Sequence, residues 1–142
     1  MLGRMSKTVA LYTCAAWPEL WADDHALFPA LAAVGLRGEP RVWDAVPAGT
    51  AAAPGLIRST WDYYLNLPAF LDFLAAREAE GAAAPLFNPP AVVRWNLDKR
   101  YLLELAGLGV PIVPTTLAPR LTEEVLTARW RDYGELVVKP TV

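Results

Sequence analysis

The residue types best suited to chemistry lie in one run that follows a short apolar segment. The run offers a cation, two hydroxyls, a carboxylate and aromatic rings, in the order Arg58, Ser59, Thr60, Trp61, Asp62 and Tyr63. Open α/β sheets bind ligands beyond the carboxyl ends of their strands, so this position suits a small polar substrate bearing a carboxylate or an amine. A structural explanation is equally consistent with the residues: Trp61 and Tyr63 would be core residues, and Arg58 would pair locally.

A second candidate is formed by two of the three lysines, Lys99 and Lys139. Lys99 follows Asp98 at the predicted start of a helix, where its charge would add to the backbone amide donors that bind phosphate. Lys139 ends an apolar segment, and burial of its charge is costly without an anionic partner. Taken singly, each is explained equally well as an ordinary surface lysine.

The common catalytic and metal-binding signatures are absent from the sequence. It contains no G-x-x-x-x-G-K-[ST] phosphate loop and no G-x-S-x-G nucleophile motif. The single histidine, His25, fits a solvated helix start beside two aspartates, and the single cysteine, Cys14, fits a core strand. We therefore predict no catalytic residue and no metal ligand in this sequence.

Composition restricts the class of protein. Hydrophobic residues make up 54% of the 142 residues and charged residues 20%, which is enough apolar material for a core. The formal net charge of −2 argues against a nucleic-acid partner. No apolar run approaches the roughly 20 residues that span a bilayer, so we expect no membrane association and a cytoplasmic location. The apolar stretch 9–16 is interpreted as a strand rather than as a signal peptide.

An alternation of strands and helices positions the first candidate. Strands are predicted at 9–14, 41–43, 56–60 and 86–88. Helices are predicted from Phe28 to Gly35 and from Pro68 to Glu80, with Gly81 after the second. This order predicts an α/β fold, with a small open parallel sheet in residues 1–90.

Residues 91–142 follow a different pattern. Helices are predicted at 91–95, at 98–108 with Asp98 as cap, and after Thr122 as far as Gly134. Residues 110–115 are predicted to be extended, and 136–139 to form a strand that ends in Lys139.

Four motifs in order carry a resemblance to a known family. They are Asn88-Pro89-Pro90, the run NLDKRYLL at 96–103, the run GVPIVPT at 109–115, and Val137-Val138-Lys139-Pro140. Together they resemble the opening of the ATP-grasp superfamily. The run IRSTWDY at 57–63 is similar to the glutathione-synthetase-like branch, and within it to the cyclo-ligases that form the cycloserine ring from O-ureido-serine. The resemblance implies a pre-ATP-grasp domain over 1–90 and the beginning of an incomplete ATP-grasp domain over 91–142.

The resemblance also implies a function. The resemblance implies that ATP and Mg²⁺ are used to convert a carboxylate into an acyl phosphate, which an amine or similar nucleophile then attacks. Lys99 and Lys139 match the lysines that contact the ATP phosphates, and Arg58 to Tyr63 would contact the substrate. The implied partners are ATP and a small molecule, with a homo-oligomer or a complementing C-terminal chain as a further expectation.

The sequence departs from the family at two places. The glycine-rich loop, the magnesium ligands and the catalytic arginine that follow Lys139-Pro140 in the family are not within the 142 residues. We therefore expect the chain alone to be inactive, as the N-terminal portion of a longer enzyme or the product of a truncated gene. In addition, Ala53-Pro54-Gly55 interrupts the apolar approach to the third strand and is predicted to shorten the sheet.

Two alternatives remain open. The first is a non-catalytic α/β binding or interaction module, either a decayed remnant or one half of a split enzyme. The second is a flavodoxin-like nucleotide binder, in which Lys99 and Lys139 would have no special importance.

Overall fold

The computed structural model describes residues 7–46 and 52–142. The chain divides into two compact units, Met1–Arg94 and Trp95–Val142. This division lies close to the predicted boundary after residue 90. The assignment of the two parts to a pre-ATP-grasp and an ATP-grasp domain stays a prediction.

The first unit is built on a small open parallel sheet, as predicted, but the sheet has three strands rather than four. Its strands are β1 (Thr8–Thr13), β2 (Arg37–Val42) and β3 (Gly55–Ser59), in the spatial order β2-β1-β3. Central β1 is buried over residues 9–13, which explains its nearly continuous apolar sequence. Strand β2 begins earlier than the predicted 41–43, because its polar first half pairs with β1 as an edge strand, where Pro40 is tolerated.

Helices cover both faces of this sheet. Helix α1 (Leu27–Ala33) starts within one residue of the predicted Phe28 and follows a 3₁₀ turn at Ala22–Ala26. Its side chains pack on the β1 face that carries Val9 and Leu11. Helix α2 (Leu67–Ala79) covers the other face, where the Tyr12 and Phe73 rings meet edge to face at 4.9 Å.

The outer edge of β3 has no fourth strand in the described residues, and the prediction of a strand at 86–88 is wrong. Leu86 forms only an isolated parallel bridge with Gly55. Two residues further on, Oδ1 of Asn88 accepts a hydrogen bond from the Ile57 backbone N–H at 2.7 Å. Proline lacks the backbone N–H that a strand donates, and Pro85 and Pro89 stand on either side of this segment. The Asn88 side chain therefore supplies the acceptor for the outer edge of β3 in place of a strand carbonyl.

The Pro54-Gly55 pair does not shorten the sheet, which corrects the expectation drawn from the sequence. The Ala10 N–H donates to the Pro54 carbonyl at 2.8 Å, and Gly55 is the first residue of β3. A Cβ at position 55 would lie 2.7 Å from Cε2 of the buried Tyr12 ring. Glycine is therefore required here by close packing against β1.

The regular secondary structure of the second unit is helical. The division between the units falls within α3 (Pro90–Leu97), which is followed by α4 (Tyr101–Gly107) and α5 (Glu123–Tyr133). Thr122 caps α5 as predicted, because its hydroxyl accepts from the Val125 N–H, and Gly134 ends the helix with φ of 72°.

The predicted strand at 136–139 is not formed. In the described residues this segment has no neighbouring strand to bond with its backbone groups. Slightly further on, the Thr141 carbonyl accepts from the Lys99 N–H at 2.7 Å. None of the helices within 7–46 and 52–142 combines the length and the apolar character that crossing a membrane requires.

Candidate functional site

The strand order places the ligand crevice that is expected of an open α/β sheet at the carboxyl ends of β1 and β3. After β1 the chain passes through α1 to β2 on one side, while β3 lies on the other side of β1. The segments that follow β1 and β3 therefore begin side by side and lead to helices on opposite faces of the sheet, and α/β sheets of this kind bind ligands at that point. Of the candidate residues of the sequence, Arg58 and Ser59 are the last two residues of β3, and Thr60 to Tyr63 follow it.

Asp24 connects the two segments. Its Oδ1 accepts from Nε of Arg58 at 3.0 Å and from Nη2 at 2.5 Å, and its Oδ2 accepts from the Ser59 hydroxyl at 2.6 Å. Asp24 and Ser59 are buried, whereas the Arg58 side chain is 43% exposed. The guanidinium is thus fixed on its inner side and open to solvent on its outer side.

The hydrogen bonds keep Asp24 ionised. Burial alone would raise the pKa of its carboxyl, but the bonds from Ser59 and Arg58 and the charge of Arg58 outweigh burial. The net result is a pKa below the ordinary value for aspartate. A charged Asp24 in turn holds Arg58 in one orientation.

The segment between β1 and Asp24 is held in a strained conformation. The Thr13 hydroxyl donates to the Trp17 carbonyl at 2.7 Å, and the Leu20 N–H donates to the same carbonyl at 2.9 Å. Leu20 is buried and has φ of 73°, a left-handed conformation that branched side chains rarely adopt. Such strain is concentrated at functional sites, where surrounding contacts maintain it.

Three indoles lie together beside this segment. The ring centroids of Trp17 and Trp21 are 4.5 Å apart, and those of Trp21 and Trp61 are 5.5 Å apart. Trp61 is 51% exposed and Trp17 is 41% exposed. The Trp21 backbone nitrogen lies 3.5 Å from the Ser59 hydroxyl, so this aromatic wall is connected to the Asp24–Arg58–Ser59 cluster.

The remaining predicted substrate residues are placed differently. Thr60 is buried, and its carbonyl accepts from the Tyr63 N–H in a turn. Oδ1 of Asp62 accepts from the Trp43 indole N–H at 2.7 Å, and the Tyr63 ring packs at 5.4 Å from Phe70. The structure therefore brings Arg58 and Trp61 to the crevice surface, whereas Ser59 and Thr60 support it from below. The substrate-binding role of all six residues stays a prediction.

Sequence reasoning missed several members of the site. Asp24 was considered only as one of the two aspartates beside His25 at a helix start, and no site role was predicted for Trp17, Trp21 or Trp43. The available signal was topological: once β3 is placed beside β1, the segments after both strands must adjoin.

The two candidate lysines lie in the second unit. Lys99 does not begin a helix, because α4 begins at Tyr101 and its N-cap residue is Arg100. The Lys99 ammonium donates a hydrogen bond to the Leu97 carbonyl at 3.4 Å. Lys139 is exposed and lies outside any strand. The backbone hydrogen bond between Lys99 and Thr141 brings the two lysine-bearing segments side by side. A joint role of the two lysines in phosphate binding stays a prediction.

Metal ligands are not clustered in the described part of the chain. Within residues 7–46 and 52–142, no three histidine, cysteine, aspartate or glutamate side chains gather in a way that could hold a metal ion. The magnesium that the resemblance implies stays a prediction.

Comparison with known proteins identifies the family to which the chain belongs. The family model "D-cycloserine synthetase DcsG, N-terminal domain" matches residues 9–88, and the chain belongs to this family. The cycloserine biosynthesis protein DcsG of Streptomyces lavendulae is 34% identical over 140 residues, which are 94% of this chain and 46% of that protein. The crystal structure of D-cycloserine synthetase DcsG matches with a TM-score of 0.64 and 32% identity, over 86% of this chain and 42% of that chain.

The chain thus spans a little under half the length of the proteins it matches. The family match ends at residue 88 and includes β1 to β3, Asp24 and the run from Arg58 to Tyr63. The crevice belongs to the part of the chain that defines the family.

Proposed function

We propose that this chain supplies the N-terminal, substrate-binding part of an ATP-dependent ligase of the ATP-grasp superfamily, in its glutathione-synthetase-like branch. The substrate is a small amino-acid-like carboxylate, and O-ureido-serine is the candidate that the resemblance suggests. The observation that carries the proposal is the match of residues 9–88 to the cycloserine synthetase family, with an oriented Arg58 at the crevice of that segment.

The proposed reaction has two steps. A carboxylate oxygen of the substrate attacks the γ-phosphorus of ATP, which forms an acyl phosphate and releases ADP. An amine or similar nitrogen nucleophile then attacks the acyl carbon, loses a proton, and expels inorganic phosphate as the carbon–nitrogen bond forms. Arg58 binds and orients the substrate through charge-assisted hydrogen bonds, and Lys99 and Lys139 neutralise charge on the transferred phosphoryl group.

The proposal extends to the setting of the protein. ATP and the amino-acid-like substrate are its small-molecule partners, and a cytoplasmic location supplies ATP. Completion by a C-terminal polypeptide, or by a second copy, fits the family's greater length. Magnesium belongs to the chemistry of the superfamily, but the described residues do not form a site for it, so no step is assigned to it here.

Substitution of Lys99 and Lys139 tests the proposed ligase activity. The protein is isolated at its natural length from its source cells, and ADP formation is measured with and without O-ureido-serine. Lys99→Ala and Lys139→Ala should each lower the rate by at least about tenfold, since each removes a charge that stabilises the transferred phosphoryl group. Lys7→Ala is the matched control because Lys7 is the remaining lysine and precedes β1. Absence of substrate-dependent ADP formation would exclude the ligase.

A non-catalytic interaction module is the second candidate, and exposed apolar residues in the second unit favour it. The large hydrophobic side chains more than half exposed there are Leu108, Val113, Leu121, Trp130, Tyr133, Val137 and Val138. Surfaces of this kind usually receive another polypeptide. If the natural protein forms no ADP and a partner chain accompanies it through purification, this second function replaces the first.

A further inference from the structure

The carboxylate of Asp62 has a partner within the protein. Its Oδ1 accepts a hydrogen bond from the Trp43 indole N–H at 2.7 Å, and the two residues are 19 positions apart in the chain. An aspartate that precedes a helical turn usually accepts from a backbone N–H of that turn. Asp62 precedes the 3₁₀ turn Tyr63–Asn66, but among the described residues its side chain makes no such bond. The carboxylate therefore binds a distant side chain instead of its own turn.

Trp43 is held in place by its neighbours on several sides. Directly after β2, its backbone N–H donates to the Thr13 carbonyl at 3.0 Å, and the residue is buried. Its ring meets the Phe70 ring of α2 edge to face, with the centroids 5.1 Å apart. An indole has a single N–H, and a buried one needs an acceptor. Because packing fixes the ring, the bond also fixes the Asp62 side chain that accepts it.

Asp62 lies within the turn that carries Trp61. The Thr60 carbonyl accepts from the Tyr63 N–H at 3.2 Å, so these four residues form one closed turn. Trp61 is half exposed, and its ring centroid lies 5.5 Å from that of Trp21. A half-exposed ring has few packing contacts of its own to define its position. The backbone of the turn, held at Asp62, must therefore define it.

The same bond joins the segments that follow the two outer strands. Since β1 lies between β2 and β3, those strands do not pair with each other. Trp43 follows β2 and Asp62 follows β3, so the bond connects them across the carboxyl end of β1. Loss of either partner releases the turn after β3 from the segment after β2.

We propose that Asp62 is a positioning residue: its bond to Trp43 holds the turn after β3 so that the Trp61 ring lies at the crevice, and Asp62 itself does not touch the substrate. Contact with substrate through charge would require the carboxylate, whereas positioning requires only an acceptor at Asp62 and the indole N–H of Trp43. The effect on the reaction rests on the proposed function, but the effect on Trp61 requires only the first unit.

The indole N–H signal of Trp61 measures the position of its ring without any activity. The six tryptophan signals of the 142-residue chain are assigned by substitution and followed by NMR. Trp43→Phe keeps an aromatic ring in the core and removes the donor, and Asp62→Ala removes the acceptor. Both should shift the Trp61 signal in the same direction. The double variant should shift it no further than the larger of the two single changes, because both remove the same bond.

Asp62→Asn distinguishes positioning from a charge contact. The amide oxygen can still accept from Trp43 while the charge is lost, so the Trp61 signal should stay close to its wild-type position. The matched controls are Asp44→Ala and Trp130→Phe, since Asp44 is exposed directly after Trp43 and Trp130 is exposed in the second unit. Neither control should shift the Trp61 signal.

Kinetics of the natural-length protein measure the effect on the reaction. Trp43→Phe and Asp62→Ala should each raise the KM for O-ureido-serine about three- to tenfold, the range expected for loss of one hydrogen bond. The KM for ATP and kcat should change less than about twofold, because the turn affects substrate binding alone. Asp62→Asn should recover most of the loss. Asp62 is only partly buried, so Asp62→Ala gives the result even if Trp43→Phe does not fold.

Three results would overturn the proposal. If Asp62→Asn is as damaging as Asp62→Ala, the charge of Asp62 contacts the ligand. If Asp62→Ala leaves the Trp61 signal in place, the turn does not depend on the bond. If the effects of Trp43→Phe and Asp62→Ala add in the double variant, the two residues act independently.

Failure of this inference is distinguishable from failure of the proposed function. A Trp61 signal that responds to both variants, without ADP formation by the natural-length wild type, would retain the positioning role and exclude the ligase. ADP formation that depends on O-ureido-serine, with a Trp61 signal unchanged in both variants, would retain the ligase and remove this role from Asp62.

Discussion

Both oxygens of the Asp24 carboxylate accept hydrogen bonds from other residues of the protein, and these bonds fix the side chains at the crevice. Asp24 binds two consecutive residues of β3, Arg58 and Ser59, from a segment that is 34 residues distant from Arg58 in the chain. Since the carboxylate is buried and the guanidinium is partly exposed, loss of the carboxylate charge affects both the stability of the first unit and the orientation of Arg58.

The stabilisation from Asp24 should depend on pH. The pKa of Asp24 is lowered in the folded state, so its contribution is complete above the pKa of the unfolded chain and is lost as pH falls through the folded-state value. Asp24→Asn should cost about 1–3 kcal/mol of unfolding free energy near neutral pH. The difference from the wild type should shrink below about pH 4. Urea unfolding followed by circular dichroism at several pH values measures both effects.

The neighbouring Asp23 is the matched control for this measurement. It is exposed in the same 3₁₀ turn, so Asp23→Asn should change the unfolding free energy little at any pH. If the difference in unfolding free energy between the wild type and Asp24→Asn stayed constant down to acidic pH, the assigned role of the Asp24 charge would be contradicted.

At the scale of elements, the outer edge of β3 depends on a side chain rather than on a strand. The Ile57 N–H donates to Asn88, and Gly55 exchanges backbone bonds with the segment around Leu86. This arrangement holds the strand that delivers Arg58 and Ser59 to the crevice.

Loss of the Asn88 acceptor should therefore destabilise the first unit. Asn88→Ala leaves the Ile57 N–H without its partner, and we expect a loss of about 1–2 kcal/mol in unfolding free energy. Asn88→Asp keeps an acceptor and should lose less. The exposed Asn96 on α3 gives the control, because Asn96→Ala removes no contact to β3. Equal losses for Asn88→Ala and Asn96→Ala in urea titrations would show that the edge does not depend on this bond.

Gly55 gives a second prediction for the same strand. Gly55→Ala places a methyl group 2.7 Å from the Tyr12 ring, which is buried and receives a hydrogen bond from Arg77. The ring cannot move freely, so a loss of about 1–3 kcal/mol is expected. Gly107→Ala in α4 meets nothing within 4 Å and should be neutral or stabilising. Thermal unfolding of both variants provides the comparison, and a neutral Gly55→Ala would contradict the packing argument.

The sequence predicts these elements where local pattern decides them. Apolar runs and helical periodicity located β1, β3 and α2, and the cap at Thr122 located α5. The same reasoning failed at 86–88 and 136–139, because an apolar run does not reveal whether a neighbouring strand exists to bond with it. It also gave β2 too late a start, since glycine, proline and charged residues conceal an edge strand.

For the candidate site, too, the sequence predicts only the part that a local pattern decides. The run from Arg58 to Tyr63 is predicted by its residue types and by its place at the carboxyl end of a strand. Asp24 and the indoles of Trp17 and Trp21 are not, because their proximity to β3 depends on strand order rather than on any local pattern.

For the whole molecule, the family relation and the geometry concern the same part of the chain. Residues 9–88 match the N-terminal domain of D-cycloserine synthetase, and all residues of the crevice lie within that range. The chain covers 46% of the Streptomyces lavendulae protein, so the activity of the complete enzyme is a proposal for the natural-length protein. In that proposal the first unit selects the substrate and the lysine-bearing segments of the second unit contact ATP.

Transfer of an oxygen atom tests this account most directly. The natural-length protein is supplied with ATP and with O-ureido-serine in which both carboxylate oxygens are ¹⁸O, and the inorganic phosphate formed is analysed by mass spectrometry. An acyl phosphate made by attack of the carboxylate on the γ-phosphorus must leave one ¹⁸O atom in each phosphate released by attack of the amine. Phosphate with one ¹⁸O is the predicted result. Unlabelled phosphate, or no phosphate above the level without substrate, would contradict the proposed ligase.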